Sequence, residues 1–239
     1  MILVSIIIIL VSGASSASVA ADISTETMAV CESVIGAENA TLSMGAYQAD
    51  DCNTSQLDEE SLAAQIAQYN AQIEQYFSLE NPCRDQYKVQ NEYLLRDVFS
   101  EDKTYLVDGG VLDYMVSEIT FDETNTVSII NMSLTCYNKW VDVGENGMFE
   151  ITCCANSVDL SAQMVKEDGV WKLKEHIRYS MTDSWVPEDS MTNNEAYSSQ
   201  QMEKVQAAEL AATEYSDFEQ ALAAAKEIHV EEICPLTVE

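Results

Sequence analysis

The clearest pattern along the chain is a helical step. In LDEESLAAQIAQYNAQIEQYFS, starting at Leu57, residues Leu62, Ile66, Tyr69, Ile73, Tyr76 and Phe77 recur at intervals of three and four, and Asp58, Glu59 and Glu60 suit the positive end of a helix dipole. ENPCRDQYKVQNEYLLRDVFSED restarts a helix, with Asn81 as N-cap, Pro82 at the first helical position, and Leu94, Leu95, Val98 and Phe99 on its apolar side. The period then falls to two. Met115, Ile119 and Phe121, with Ser117 among them, form one strand face, and Ile130, Met132, Leu134, Cys136 and Trp140 form the next. Gly109 and Gly110 read as a turn, and Asn146 with Gly147 carries a type I′ hairpin signal. Helices followed only by strands predict an α+β domain: N-terminal helices on a curved antiparallel meander.

The third strand puts Phe149, Ile151, Cys153 and Ala155 inward, then changes phase to Val158, Leu160, Ala162 and Met164, as an extra residue in a β-bulge near Asn156 and Ser157 would cause. Asp168 and Gly169 close a two-residue hairpin. Counting outward from it sets Met164 opposite Leu173, Ala162 opposite Glu175, Leu160 opposite Ile177, and Asp159 opposite Arg178. KEDGVWKLKEHIRYS then sorts into Trp171, Leu173, Glu175, Ile177 and Tyr179 on the apolar face and Lys172, Lys174, His176 and Arg178 on the other. The basic stripe suits cross-strand pairing or docking of an acidic segment such as the C-terminal helix. Glu175 is a lone carboxylate among apolar neighbours.

The ends behave differently. An apolar run from Ile2 to Val11, too short for a bilayer span and followed by small residues, predicts a signal peptide over 1–21 with cleavage near Ala20 or Ala21, although the usual basic n-region is missing. Residues 22–56 read as a cysteine-containing lead-in, tied by Cys31 and Cys52, and 57–181 as the α+β domain. Residues 182–239 read as a loop, a long C-terminal helix from about Tyr197 to Ile228 and a tail, the helix carrying Val205, Ala208, Ala212, Tyr215, Leu222 and Ala225 on one narrow face.

Composition narrows the function classes. With 41 acidic and 11 basic residues the net charge is −30, which disfavours nucleic acid and anionic membrane surfaces as partners. Cys31, Cys52, Cys83, Cys136, Cys153, Cys154 and Cys234 are disulfide candidates in an exported chain, with one thiol left over; with two histidines, no CxxC pair and no EF-hand spacing, neither a metal nor a cofactor is expected.

The order of helix, helix and bent meander, ending in Asp168, Gly169, Trp171, Lys172 and Leu173, resembles the NTF2-like, or cystatin-like, α+β cone over about residues 57–181. The resemblance implies a curved sheet around helices, with a pocket used by ketosteroid-isomerase-like and polyketide-cyclase-like enzymes and by many non-catalytic binding and assembly domains. The Q-x-V-x-G motif of cystatin inhibitors meets Gln163, Met164, Val165, Lys166 and Glu167 here, with Glu in place of Gly, which argues against protease inhibition. The expected pocket gathers Glu175, Tyr179, Ser117, Tyr69, Tyr76, Trp171 and Met132, where burial would raise the pKa of Glu175. Three readings stay open: a secreted non-catalytic domain that binds a small apolar ligand or a protein partner, including a second copy; a cofactor-free isomerase or cyclase with Glu175 as general acid/base; and a structural cell-surface or oligomerisation protein.

Overall fold

In the computed structural model the described residues are 17–46, 59–97, 105–144, 146–180 and 214–229, with backbone alone at 17–24, 97, 154–156, 179 and 180. They form an α+β fold in which helices α1 (Ala17–Leu42), α2 (Glu59–Tyr76) and α3 (Arg84–Asp97) precede strands β1 (Tyr105–Phe121), β2 (Val127–Val143), β3 (Phe149–Glu167) and β4 (Val170–Ser180). A two-residue strand β5 (Glu214–Tyr215) and helix α4 (Phe218–Lys226) follow. The four long strands pair in sequence order as an antiparallel meander, and β5 adds to β3 beside Phe149 and Glu150. Among the described residues no helix is long and apolar enough to cross a membrane.

The segment expected as a loose lead-in is a helix of the core. α1 buries Val30, Val34, Ala37 and Ala40 against Tyr69, Ile73 and Phe77 of the α2 segment and against Trp171 and Leu173 of β4. Its inward stripe is built from small residues, with Thr27, Ser33 and Glu38 buried among them, so it lacks the Leu-rich signature that marks α2. Polar contacts hold it along its length. Ser33 Oγ donates to the Trp171 carbonyl at 2.6 Å, Asn39 Oδ1 accepts from Val111 N at 2.8 Å, and the Leu42 carbonyl accepts from Asn138 Nδ2 at 3.1 Å. Gly109 and Gly110 are therefore not a turn. Both lie buried inside β1, and a Cβ on Gly109 would collide with the Leu42 carbonyl, so glycine admits the end of α1.

The phase change along β3 is real but has another cause than a bulge. Pairing of β2 with β3 is unbroken from Val127 opposite Val165 to Val143 opposite Phe149. What changes is the buried face. Ile130, Met132, Leu134 and Cys136, with Val158, Leu160, Ala162 and Met164, pack in the cluster that contains α1 and α2, whereas Val141 and Ile151, one residue out of phase, pack with Ala221, Leu222 and Ala225 of α4. Extra residues occur instead in β1, at Val107, Leu112 and Ser117, and in β4 at Lys174. Such bulges bend and twist the strands that carry them.

The turns follow their chemistry. Asp168 and Gly169 both have positive φ, 51° and 84°, as a two-residue type I′ hairpin requires. The Asn146–Gly147 pair lies within a longer connection, in which Gly144 N bonds to Met148 O at 2.8 Å. Asn81 Oδ1 accepts from Cys83 N at 2.9 Å ahead of α3. At the C-terminal end, Tyr215 lies in β5 rather than in a long helix; α4 is nine residues, capped by Asp217, whose carboxylate accepts from Gln220 N at 3.0 Å. Residues 197–213 of the expected helix, residues 1–16 of the leader expected over 1–21, and Cys52 and Cys234 lie outside the described residues, while 17–21 form the start of α1.

Burial of each α1 valine contributes about 1.5–3 kcal/mol, so α1 is expected to be indispensable. A chain beginning at residue 22 should melt cooperatively, because it keeps Glu26 with its bonds to Lys166 and Trp171 and the buried stripe from Val30 to Ala40. A fragment of residues 57–181 should show no cooperative transition by circular dichroism, and native-like melting of that fragment would refute the central place given to α1.

Candidate functional site

The expected pocket was centred on Glu175, and the sheet places that residue elsewhere. Met164 does pair with Leu173, as counted from the hairpin, but Lys174 is an extra residue, so Gln163 pairs with Glu175, Ala162 with His176, Leu160 with Arg178 and Asp159 with Tyr179. Every residue beyond Lys174 is therefore turned to the opposite face from the one its alternation predicts. Glu175 and Ile177 are exposed on the outer face, while His176 and Arg178 stand on the opposite face with Ala162 and Leu160, the arginine itself still open to solvent. The bulge follows from how the edge of the sheet is used. The Leu173 carbonyl accepts from Ser78 N at 2.9 Å and from Asn81 Nδ2 at 3.3 Å, both in the turn between α2 and α3.

This shift builds a polar cluster under α1 that the alternation pattern concealed. Glu38 is completely buried, and Arg178 Nε lies 3.3 Å from its Oε2, close enough for an ion pair though not aligned as a hydrogen bond. Burial pushes the Glu38 carboxyl above the ordinary carboxylate range, with the Arg178 charge pulling the other way. Burial likewise raises the Cys136 thiol to about 12, although Arg178 hydrogen-bonds to it, and raises the Tyr87 phenol to about 12. His176 moves down, first from burial and then from the Arg178 charge. One arginine thus attracts a carboxylate, bonds a thiol and, by like charge, disfavours protonation of an imidazole. A cluster of this kind can hold or release one proton on Glu38, and its strength depends on keeping water out.

The remaining expected pocket residues do not converge. Trp171 and Met132 are core side chains, 2% exposed each. The Trp171 indole Nε1 donates to Glu26 Oε2 at 2.6 Å while Lys166 Nζ bonds the other carboxylate oxygen at 2.7 Å, and the two bonds hold the Glu26 carboxyl below its usual range. Tyr76 is half-buried against Gly36 of α1, and Tyr69 is buried with its hydroxyl unpartnered. Ser117 is exposed at a bulge of β1 and donates to the Asn131 carbonyl at 3.0 Å; the same bulge leaves Met115 outside while Val116 packs inward. The side chains of Tyr179 and Cys154 lie outside the described residues. Cys31, Cys83 and Cys136 are free thiols, so Cys31 makes no tie to Cys52; burial raises Cys31 to about 11 and leaves it a poor nucleophile. Cys153 is buried in β3. The basic stripe is divided: Lys174 pairs with Glu80 at 2.6 Å, Lys172 donates to the Glu74 carbonyl at 2.8 Å, and Arg178 turns to Glu38 rather than to Asp159. Among the described residues no group of His, Cys, Asp and Glu is arranged to hold a metal ion.

No protein-family model and no curated protein matches the chain. Among solved structures it is similar to the intermembrane space region of the chloroplast protein ARC6, at 10% identity and a TM-score of 0.37, over 52% of this chain and 98% of that one. It is also similar to a calcium/calmodulin dependent protein kinase II association domain from Xanthomonas campestris, at 13% identity and a TM-score of 0.26, over 57% of this chain and 97% of that one. Likeness at these levels bears on neither family nor activity. The described residues define an α+β domain in which a fully buried carboxylate, Glu38, is paired with a solvent-accessible arginine, Arg178.

The raised Glu38 pKa has a definite consequence for stability. Its folded form holds a proton to higher pH than the unfolded chain, so its stabilising contribution is full below the ordinary value of 4.5 and falls as pH rises through the raised one. Glu38→Gln should therefore be at least as stable as the parent at neutral pH, with the advantage shrinking toward pH 4. Urea midpoints across that range would test this, and parallel profiles for the two proteins would show that Glu38 does not titrate in this way.

Proposed function

We propose that the chain is an exported, non-catalytic assembly domain of NTF2-like type, which pairs with a second copy of itself through the outer face of its sheet. One observation carries this reading: the inner face is filled by side chains of α1 and α2, while the outer face of β1 to β4 presents Met115, Ile129 and Ile177 at 51%, 49% and 57% exposure. Their neighbours on that face are the neutral Thr120, Asn131, Ser133, Ser161 and Gln163 together with the acids Glu118, Asp159 and Glu175. The acids Glu118 and Asp159 are engaged by Asn131 Nδ2 at 3.2 Å and Ser133 Oγ at 2.5 Å. In a chain of net charge −30, two copies meeting there would have like-charge repulsion to overcome, which salt screens.

The acid/base reading moves from Glu175 to Glu38, and there it meets an obstacle. Glu38 is 0% exposed and lies behind Arg178, so a substrate would reach it only if Arg178 swung aside. Export rests on the apolar Ile2 to Val11 run and the small residues that follow.

Sedimentation equilibrium tests the assembly reading. The parent should dimerise more tightly at high salt, as charge repulsion is screened, and Ile177→Lys with Ile129→Lys should weaken the dimer by about ten-fold or more, roughly 1.4 kcal/mol. A parent that stays monomeric at every concentration, or a double variant that dimerises as well as the parent, would overturn it.

A further inference from the structure

The connection between β2 and β3 carries an Asn-Gly pair in an exposed turn. Gly147 has φ 76°, with open space where a Cβ would stand, and both it and Asn146 face solvent. The Asn146 side chain is held at both ends. Its Oδ1 accepts from Met148 N at 2.9 Å, and its Nδ2 donates to Glu214 Oε1 at 2.9 Å. A backbone N–H only donates and a carboxylate only accepts, so the amide has one orientation.

The second of these bonds ties the turn to β5. That strand contributes only two residues, Tyr215 opposite Phe149 and Glu214 opposite Glu150. Through the Asp217 cap it leads into α4, whose Phe218 ring lies 5.4 Å from that of Phe149 and whose Ala221, Leu222 and Ala225 pack with Val141 and Ile151. A second carboxylate is close by, because Glu150 and Asn146 Oδ1 come together over Gly144, where a Cβ would collide with Glu150. Asn146 is thus a neutral amide bonded to one carboxylate and neighboured by another.

An asparagine followed by glycine can react with its own backbone. The Gly147 nitrogen, unshielded by a side chain, bonds to Asn146 Cγ and gives up its proton; the Cγ–Nδ2 bond breaks and Nδ2 leaves as ammonia. Water then opens the resulting succinimide at either carbonyl, giving aspartate or isoaspartate. The net change is amide plus water to carboxylate plus ammonium, with nothing oxidised or reduced. The turn helps one step and delays another. Met148 N–H faces the oxygen on which charge develops as Cγ becomes tetrahedral. The Gly147 N–H bonds to the Gly144 carbonyl at 2.9 Å and must leave it first, an opening that an exposed turn allows at low cost.

We propose that Asn146 is a self-modification site, whose conversion to a carboxylate replaces the bond to Glu214 by like-charge repulsion and loosens β5 against β3. The inference is independent of the outer-face assembly reading. Held in mildly alkaline buffer under native conditions, the full chain should gain the mass of an NH-to-O exchange at Asn146, located by peptide mapping. Asn146→Gln, which would need a larger ring, should stay unmodified. In Asn146→Asp, amide exchange at Tyr215 should be about three- to ten-fold faster than in the parent, and adding Glu214→Gln should restore it, since an amide can donate to the new carboxylate. An Asn146 that stays intact, or β5 exchange that is unchanged in Asn146→Asp or not relieved by Glu214→Gln, would overturn the proposal.

Discussion

The attachment of α1 at Trp171 is the contact on which the rest of the architecture depends. The indole is buried, its Nε1 bonds Glu26, its own carbonyl receives Ser33 Oγ, and its ring packs against Phe121 with Lys166 Nζ 5.2 Å from the ring centre. From that anchor α1 runs on for several turns, at about 1.5 Å per residue, so that Asn39 and Leu42 reach Val111 of β1 and Asn138 of β2. A single helix thereby touches both edges of the meander, β4 and β1. Three bulges in β1 and one in β4 let those edges curve toward it.

The bulge at Lys174 decides which chemistry is inside. A strand has two faces, and one added residue exchanges them for everything that follows. Because the Leu173 carbonyl is taken by the turn between α2 and α3, the strand resumes one residue out of step and carries Arg178 to the core side. There it meets Glu38, which α1 delivers to the same place. A carboxylate that would be costly to bury alone is met there by an arginine that keeps contact with solvent, and the thiol of Cys136 shares the arginine. Glu175, the carboxylate that simple alternation put inside, lies in water.

Charge is distributed with the same economy. Most of the acidic residues serve the surface, and the basic residues that can be followed are held by nearby acceptors: Lys88 by Glu74, Lys174 by Glu80, Lys166 by Glu26. Exposed pairs such as the first two contribute little to stability; Lys88 with Glu74 links α3 to α2, and Lys174 with Glu80 links β4 to the α2–α3 turn.

By itself the sequence determined the fold class, the helices α2 and α3, the order of the strands, the inward rows of β2 and β3, and the type I′ hairpin at Asp168 and Gly169. Each follows from local chemistry: a 3.6-residue or two-residue period of large apolar groups, or a residue type that tolerates positive φ. Only the tertiary structure decided the rest. α1 escaped notice because its buried stripe is Ala, Val, Cys, Ser and Thr, whose fit becomes visible only against Trp171 and Tyr76. Gly109 looked like a turn until the end of α1 was set against it, and the phase of β3 looked like a bulge until a second helix was found on the other face. The Glu38–Arg178 pair joins residues 140 positions apart in sequence, 38 and 178, through a register that the α2–α3 turn imposes on an edge strand. Periodicity within β4 carries no trace of that external contact, which is why the buried acid had to be found in space.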